Sequence, residues 1–106
     1  MSAAEGFDLH PLAAQDITEI WEFIAEDNPA AAGRVREEIL NAIRGLVHFP
    51  HQGHKRPDLT SRPLRFILVR EYLIAYAPDE RPLWVIAAMH GRRSPRVMAA
   101  ILRGRE

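Results

Sequence analysis

Three short runs decide the fold: Leu64-Arg65-Phe66-Ile67-Leu68-Val69, Tyr72-Leu73-Ile74-Ala75-Tyr76-Ala77 and Leu83-Trp84-Val85-Ile86-Ala87-Ala88-Met89-His90. They are rich in β-branched, leucine and aromatic residues. Only Arg70-Glu71 and Pro78-Asp79-Glu80-Arg81-Pro82 separate them, so they predict three consecutive antiparallel strands in a meander. The third run is apolar at successive positions instead of alternating, which marks a central strand covered on both faces.

One cover lies upstream. Phe7 to His10 predicts a short strand, and Pro11 then sets a backbone angle suited to a first helical turn. From about Leu12 to Asp27, Ile17, Ile20, Trp21 and Ile24 fall at i, i+3, i+4 and i+7, with Asp16, Glu19, Glu22 and Glu26 around them. This is one apolar stripe on an acidic helix. Asn28-Pro29 stops that helix and starts the next, because the residue before proline resists helix geometry, while Asn caps and Pro opens one. The second helix, about Pro29 to Val47, carries Ala32, Val35, Ile39, Ala42, Ile43 and Leu46 on its stripe, so the pair predicts an antiparallel hairpin with Trp21 in its core.

The other cover is thinner. His51 to Pro63 contains Gly53, Pro57 and Pro63 with no periodic pattern and reads as a basic loop, a kind of segment that is often functional in a small domain. Ser94-Pro95 followed by Val97, Met98, Ile101 and Leu102 predicts a short C-terminal helix. Trp84 reads as sheet core. With only this helix and loops left for the second face, some apolar sheet surface should stay uncovered, and such patches mark partner sites.

The expected fold is therefore α+β, an antiparallel sheet with an N-terminal helical hairpin on one face and a short C-terminal helix, forming a single domain over residues 1–106. No run of about 18 apolar residues and no basic-then-apolar start occurs, which reads as a cytoplasmic protein without a membrane role. Zero cysteines exclude disulfides, thiolate catalysis and cysteine-based zinc sites. The net charge is zero, yet residues 1–51 hold nine acids and three bases, a balance of −6, and residues 52–106 hold eleven bases and five acids, +6. Ten of those eleven bases are arginine, the residue suited to planar, bidentate contacts, so the C-terminal half is where a partner surface is expected.

The order of these features, from the hairpin with Asn28-Pro29 at its tip through Phe49-Pro50, Gly53, Leu64-Arg65, Tyr72 and Ile74-Ala75-Tyr76 to His90-Gly91-Arg92-Arg93, resembles the RelE/ParE toxin superfamily, the ParE branch most closely. The resemblance spans about Phe7 to Arg96. It implies the toxin of a type II toxin-antitoxin system, of the kind also known as plasmid stabilisation proteins, bound and silenced by a ParD-like antitoxin. It further implies inhibition of DNA gyrase without chemistry of its own and without sequence-specific nucleic-acid binding by the toxin alone. The antitoxin would supply an apolar, acidic segment that folds on binding in the groove of sheet and hairpin and meets the arginine-rich half.

The candidate residues for antitoxin or target binding are Arg65, Tyr72, Tyr76, His90, Arg92, Arg93 and Arg96. Each has a second reading. Arg65 pairs with an acid of the hairpin, or it faces a partner. Tyr72 and Tyr76, four apart on one strand face, are core or contact residues. His90 is a strand-end histidine bonded to backbone, or the late proton donor of a RelE-type ribosome-dependent mRNA endonuclease. Against the nuclease, Gly91 stands where that pattern has tyrosine, and the loop before Arg65 offers only Asp58 as a carboxylate. An inactive binding module of the same fold is the third reading. No catalytic residue, cofactor or metal site is expected, since Pro50 and Gly53 break any helix that would bring His48, His51 and His54 to one face.

Overall fold

Two caps set the helical hairpin in place. The computed structural model describes residues 3–106. After a 3-10 turn (Ala3–Glu5) and strand β1 (Phe7–Leu9), helix α1 (Pro11–Ala25) starts at His10, whose Nδ1 accepts the Leu12 N–H at 3.0 Å. Helix α2 (Pro29–His48) starts at Asn28, whose Oδ1 accepts the Ala31 N–H at 3.0 Å while its backbone stays extended. Each cap satisfies a donor that the first helical turn leaves orphaned. Strands β2 (Arg65–Val69), β3 (Tyr72–Ala77) and β4 (Leu83–His90) follow as the expected meander, and α3 (Pro95–Arg103) closes the chain. No helix among the described residues is long and apolar enough to cross a membrane.

The sheet order is β1-β4-β3-β2. The three strands of the meander are antiparallel as expected, but β1 pairs with β4 in parallel, from Phe7 opposite Leu83 to Leu9 opposite Val85, so the sheet is mixed. Parallel neighbours need a long crossover, and the hairpin with the first two meander strands supplies it.

The hairpin seals one sheet face. Ile17, Val35, Ile39, Ile43 and Leu46 pack on Phe7, Ile74, Tyr76 and Val85. On the second face Leu59 and Leu64 from the long loop and Met98 and Leu102 from α3 cover Phe66, Ala75, Ile86 and Met89. A β-bulge makes β4 apolar on both sides. Ala75 pairs with Ala87 but Tyr76 with Val85, so Ile86 is an extra residue; Val85 and Ala88 serve the hairpin face while Ile86 and Ala87 serve the other.

Trp21 departs from expectation. It is 39% exposed, because burial on α1 falls from Ala13 and Ile17 to the half-buried Ile20 and Ile24 toward the hairpin tip. Trp84 is half-buried, with its ring 5.7 Å from that of His10.

Candidate functional site

The seven residues singled out from the sequence divide between the two ends of the meander. At one end Arg65 stands opposite Tyr76, and at the other Tyr72 stands opposite His90. They do not form one site.

The first pair is a clasp for the long loop. The Tyr76 hydroxyl donates to the Pro50 carbonyl at 2.7 Å and accepts the Gly53 N–H at 2.9 Å, and Arg65 Nη1 donates to the Gly53 carbonyl at 2.8 Å. Tyr76 has no exposed surface. The fit is close at Gly53, where a Cβ would lie 2.6 Å from the Tyr76 hydroxyl and 2.8 Å from the Phe66 carbonyl. Arg65 therefore binds loop backbone and no acid of the hairpin; that pairing falls to Arg70, which donates two hydrogen bonds of 2.7 Å to Glu38. Arg70 can reach α2 because it sits at φ 56° in the tight β2–β3 turn.

The second pair shapes the turn after β4. His90 Nδ1 accepts the Arg92 N–H at 3.1 Å, which leaves the proton on Nε2, and Nε2 lies 3.0 Å from Glu71 Oε2. The ring meets Tyr72 edge-on, with centroids 5.5 Å apart. The Gly91 N–H donates to the Glu71 carbonyl at 2.7 Å and the Arg93 N–H to the His90 carbonyl at 3.1 Å. Ser94 then caps α3, its hydroxyl accepting the Val97 N–H at 3.2 Å. Both imidazole nitrogens are thus used in holding the turn. The Tyr72 phenol is pushed above its ordinary range by burial and then by the Glu71 charge, and burial does the same to Tyr76, so both stay protonated near neutral pH.

This turn displays Arg92 and Arg93, and the first turn of α3 adds Arg96, all exposed. No carboxylate among the described residues lies within ion-pair distance of them. Guanidinium groups fixed on a rigid turn and left without acids suit charged or planar groups brought by another molecule. Beside them, between α1 and the end of β4, lies a notch of about 220 Å³ lined by Asp16, Ile20, Phe23, Tyr72, His90 and Arg93 among others.

The sequence reading missed the pair that closes this region. Arg105 donates from Nη1 and Nη2 to the two Asp16 carboxylate oxygens at 2.6 and 3.1 Å and from Nη1 to the Ile86 carbonyl at 3.0 Å, while Asp16 also accepts the Ala88 N–H at 3.0 Å. Together they finish the edge of β4 beyond the three-residue β1 and tie the tail to α1. Asp16 is one acid among several along α1, and a contact across 89 positions leaves no local signal.

Residues 7–95 match the family model of the ParE toxin of type II toxin-antitoxin system, parDE. No curated protein matches the chain.

Proposed function

The chain belongs to the ParE toxin family of type II toxin-antitoxin systems, and from that premise we propose that it is silenced by a ParD-like antitoxin and inhibits DNA gyrase in the cytoplasm by binding, with no reaction of its own. The observation that carries this reading is the display of Arg92 and Arg93 on a turn braced by His90, and of Arg96 at the start of α3, with no acidic partner among the described residues. A binding protein needs that kind of rigid, unpaired polar surface. The histidine that would serve a nuclease is hydrogen-bonded at both nitrogens.

Expression of the chain alone in bacteria tests the proposal. Filamentation with an induced DNA-damage response is the expected outcome. Rapid loss of bulk mRNA without DNA damage would overturn the gyrase reading in favour of the endonuclease. Unimpaired growth would overturn toxicity and leave a binding module.

A further inference from the structure

Zero net charge hides a segregation that packing completes. The long loop 51–63 and residues 92–106 come together over the second sheet face, where Leu59, Leu64, Met98 and Leu102 anchor them. Leaving aside Arg105, which Asp16 holds, these two segments carry seven Lys and Arg residues against two carboxylates, Asp58 and Glu106. Asp58 is itself bound by Arg56 through hydrogen bonds of 2.9 and 2.8 Å. The acids of α1 and α2 belong to the layer on the other side of the sheet.

The cations line three adjoining hollows. The first, about 440 Å³ around Leu68, has Arg56 and Arg93 on its wall. The second, about 330 Å³, shares Arg56 and adds Lys55 and Arg62. The third, about 580 Å³, shares Arg62 and adds Arg103, with Glu106 the single carboxylate lining any of the three. Arg62 is the joint: its Nη1 donates to the Leu102 and Arg105 carbonyls at 3.0 and 2.7 Å and ties the loop to the C-terminal end of α3. Thr60 and Ser61, shared by the second and third hollows, add hydroxyl groups there. Along α3 the exposed Arg96 and Arg103 fall two turns apart on one line, with the small, exposed Ala100 between them. The result is a cationic track running from the β2 edge to the end of α3.

An acidic protein and a nucleic-acid backbone both attract cations, and the rest of the lining separates them. Protein interfaces draw most of their energy from aromatic and other large anchors. The exposed aromatic side chains, Trp21, Phe23 and Phe49, stand on α1 and at the end of α2, and the one aromatic lining the hollows, Phe66, is buried. The same lack of an exposed ring leaves no platform on which bases of a single strand could stack. Phosphates of a duplex need neither: arginine, lysine and hydroxyl donors are the groups that hold them.

We propose that this track binds the phosphate backbone of duplex nucleic acid without reading its sequence, with the acids of the hairpin turned away from the polyanion. Phosphate contacts carry no base information, so the site takes a duplex of any sequence. For a toxin directed at an enzyme that works on DNA, the track supplies a second hold, on the DNA that enzyme carries.

The test measures binding of the chain to a random-sequence DNA duplex of about 20 base pairs, and to the matching RNA duplex, over a range of salt concentrations. Wild type is expected to bind with a dissociation constant of about 10⁻⁶–10⁻⁴ M at physiological salt and to weaken steeply as salt rises. The double variant Lys55→Ala with Arg103→Ala is expected to weaken binding by about tenfold or more and to make the logarithmic salt slope shallower by about 2, as the loss of two phosphate contacts requires. Arg34→Ala with Arg36→Ala removes the same charge from exposed positions on α2 and should leave affinity within about twofold. Tighter binding of the DNA duplex would support the track with DNA as its source, and tighter binding of the RNA duplex would support it with an RNA helix. Equal losses in the two double variants would overturn the track, since net charge alone would then explain binding. Absence of binding at low salt, or competition by poly-glutamate as effective as by duplex, would overturn phosphate recognition. Neither gyrase nor antitoxin enters the measurement, so its failure leaves the target reading untouched.

Discussion

Arg105 and Asp16 form a two-pronged ion pair at 2.6 and 3.1 Å, with only 11% and 15% of their side chains exposed. The guanidinium also takes the carbonyl of the bulged residue Ile86, and the carboxylate takes the Ala88 N–H. One pair thus fastens α1, the edge of β4 and the C-terminal tail.

Arg105→Met should destabilise the fold by about 3 kcal/mol, because removing one member of a largely buried pair leaves the other charged, desolvated and short of partners. Asp16→Asn with Arg105 retained should cost less, since the amide oxygen can still accept the Ala88 N–H. Urea midpoints of the two variants check both the size and the order.

Tyr76→Phe should cost about 1–3 kcal/mol, the range for leaving buried backbone groups unsatisfied, here the Pro50 carbonyl and the Gly53 N–H. Gly53→Ala should be worse than its size suggests, because the Phe66 carbonyl it would meet at 2.8 Å is backbone and cannot swing aside. Faster proteolysis of the 51–63 loop in both variants is the direct readout, and unchanged cleavage would contradict the clasp.

Stability should fall on mild acidification through His10. Burial, then the charges of Arg105 and Arg62, hold its imidazole below the ordinary value of 6.5, against an opposing pull from Asp16. The unfolded chain therefore binds the proton first, so this contribution is complete above the unfolded value and is lost as pH falls from there through the folded one. Protonation also removes the lone pair that caps Leu12. His10→Asn, which keeps a cap acceptor without titrating, should have a urea midpoint less dependent on pH between about 7 and 5.

Reversing Arg92, Arg93 and Arg96 to Glu should abolish growth arrest or antitoxin binding while changing stability by no more than about 0.5 kcal/mol per site, as is usual for exposed side chains without partners. Thermal melts alongside toxicity and binding assays separate the two effects. Retained toxicity together with retained antitoxin affinity would remove these arginines from the interface.

Much of the fold is legible locally because its determinants are local. Asn28-Pro29, Ser94-Pro95 and the stripe of α2 act within a few residues, and the meander follows from runs split by a two-residue turn and by a Pro-bounded segment. Trp21 was misread because a helical stripe gives direction but not depth: position 21 shares its line with Ile17, yet only Ile17 has the sheet beneath it. The candidate site was legible as a set of residue types and not as a place. Arg65 and Tyr76 form a loop clasp, Tyr72 and His90 brace a turn, and Arg92, Arg93 and Arg96 are exposed.

The sequence by itself determined the helical hairpin, the meander, the acidic and basic halves and the family resemblance, since periodicity, caps, charge and motif order are written along the chain. Only the tertiary structure decided the parallel place of β1, the bulge at Ile86, the clasp at Tyr76, the Asp16–Arg105 tie and the groove around Leu68. Each depends on groups far apart in sequence meeting at hydrogen-bonding or van der Waals distance, and such meetings are fixed by how the layers pack, not by any pattern within one element.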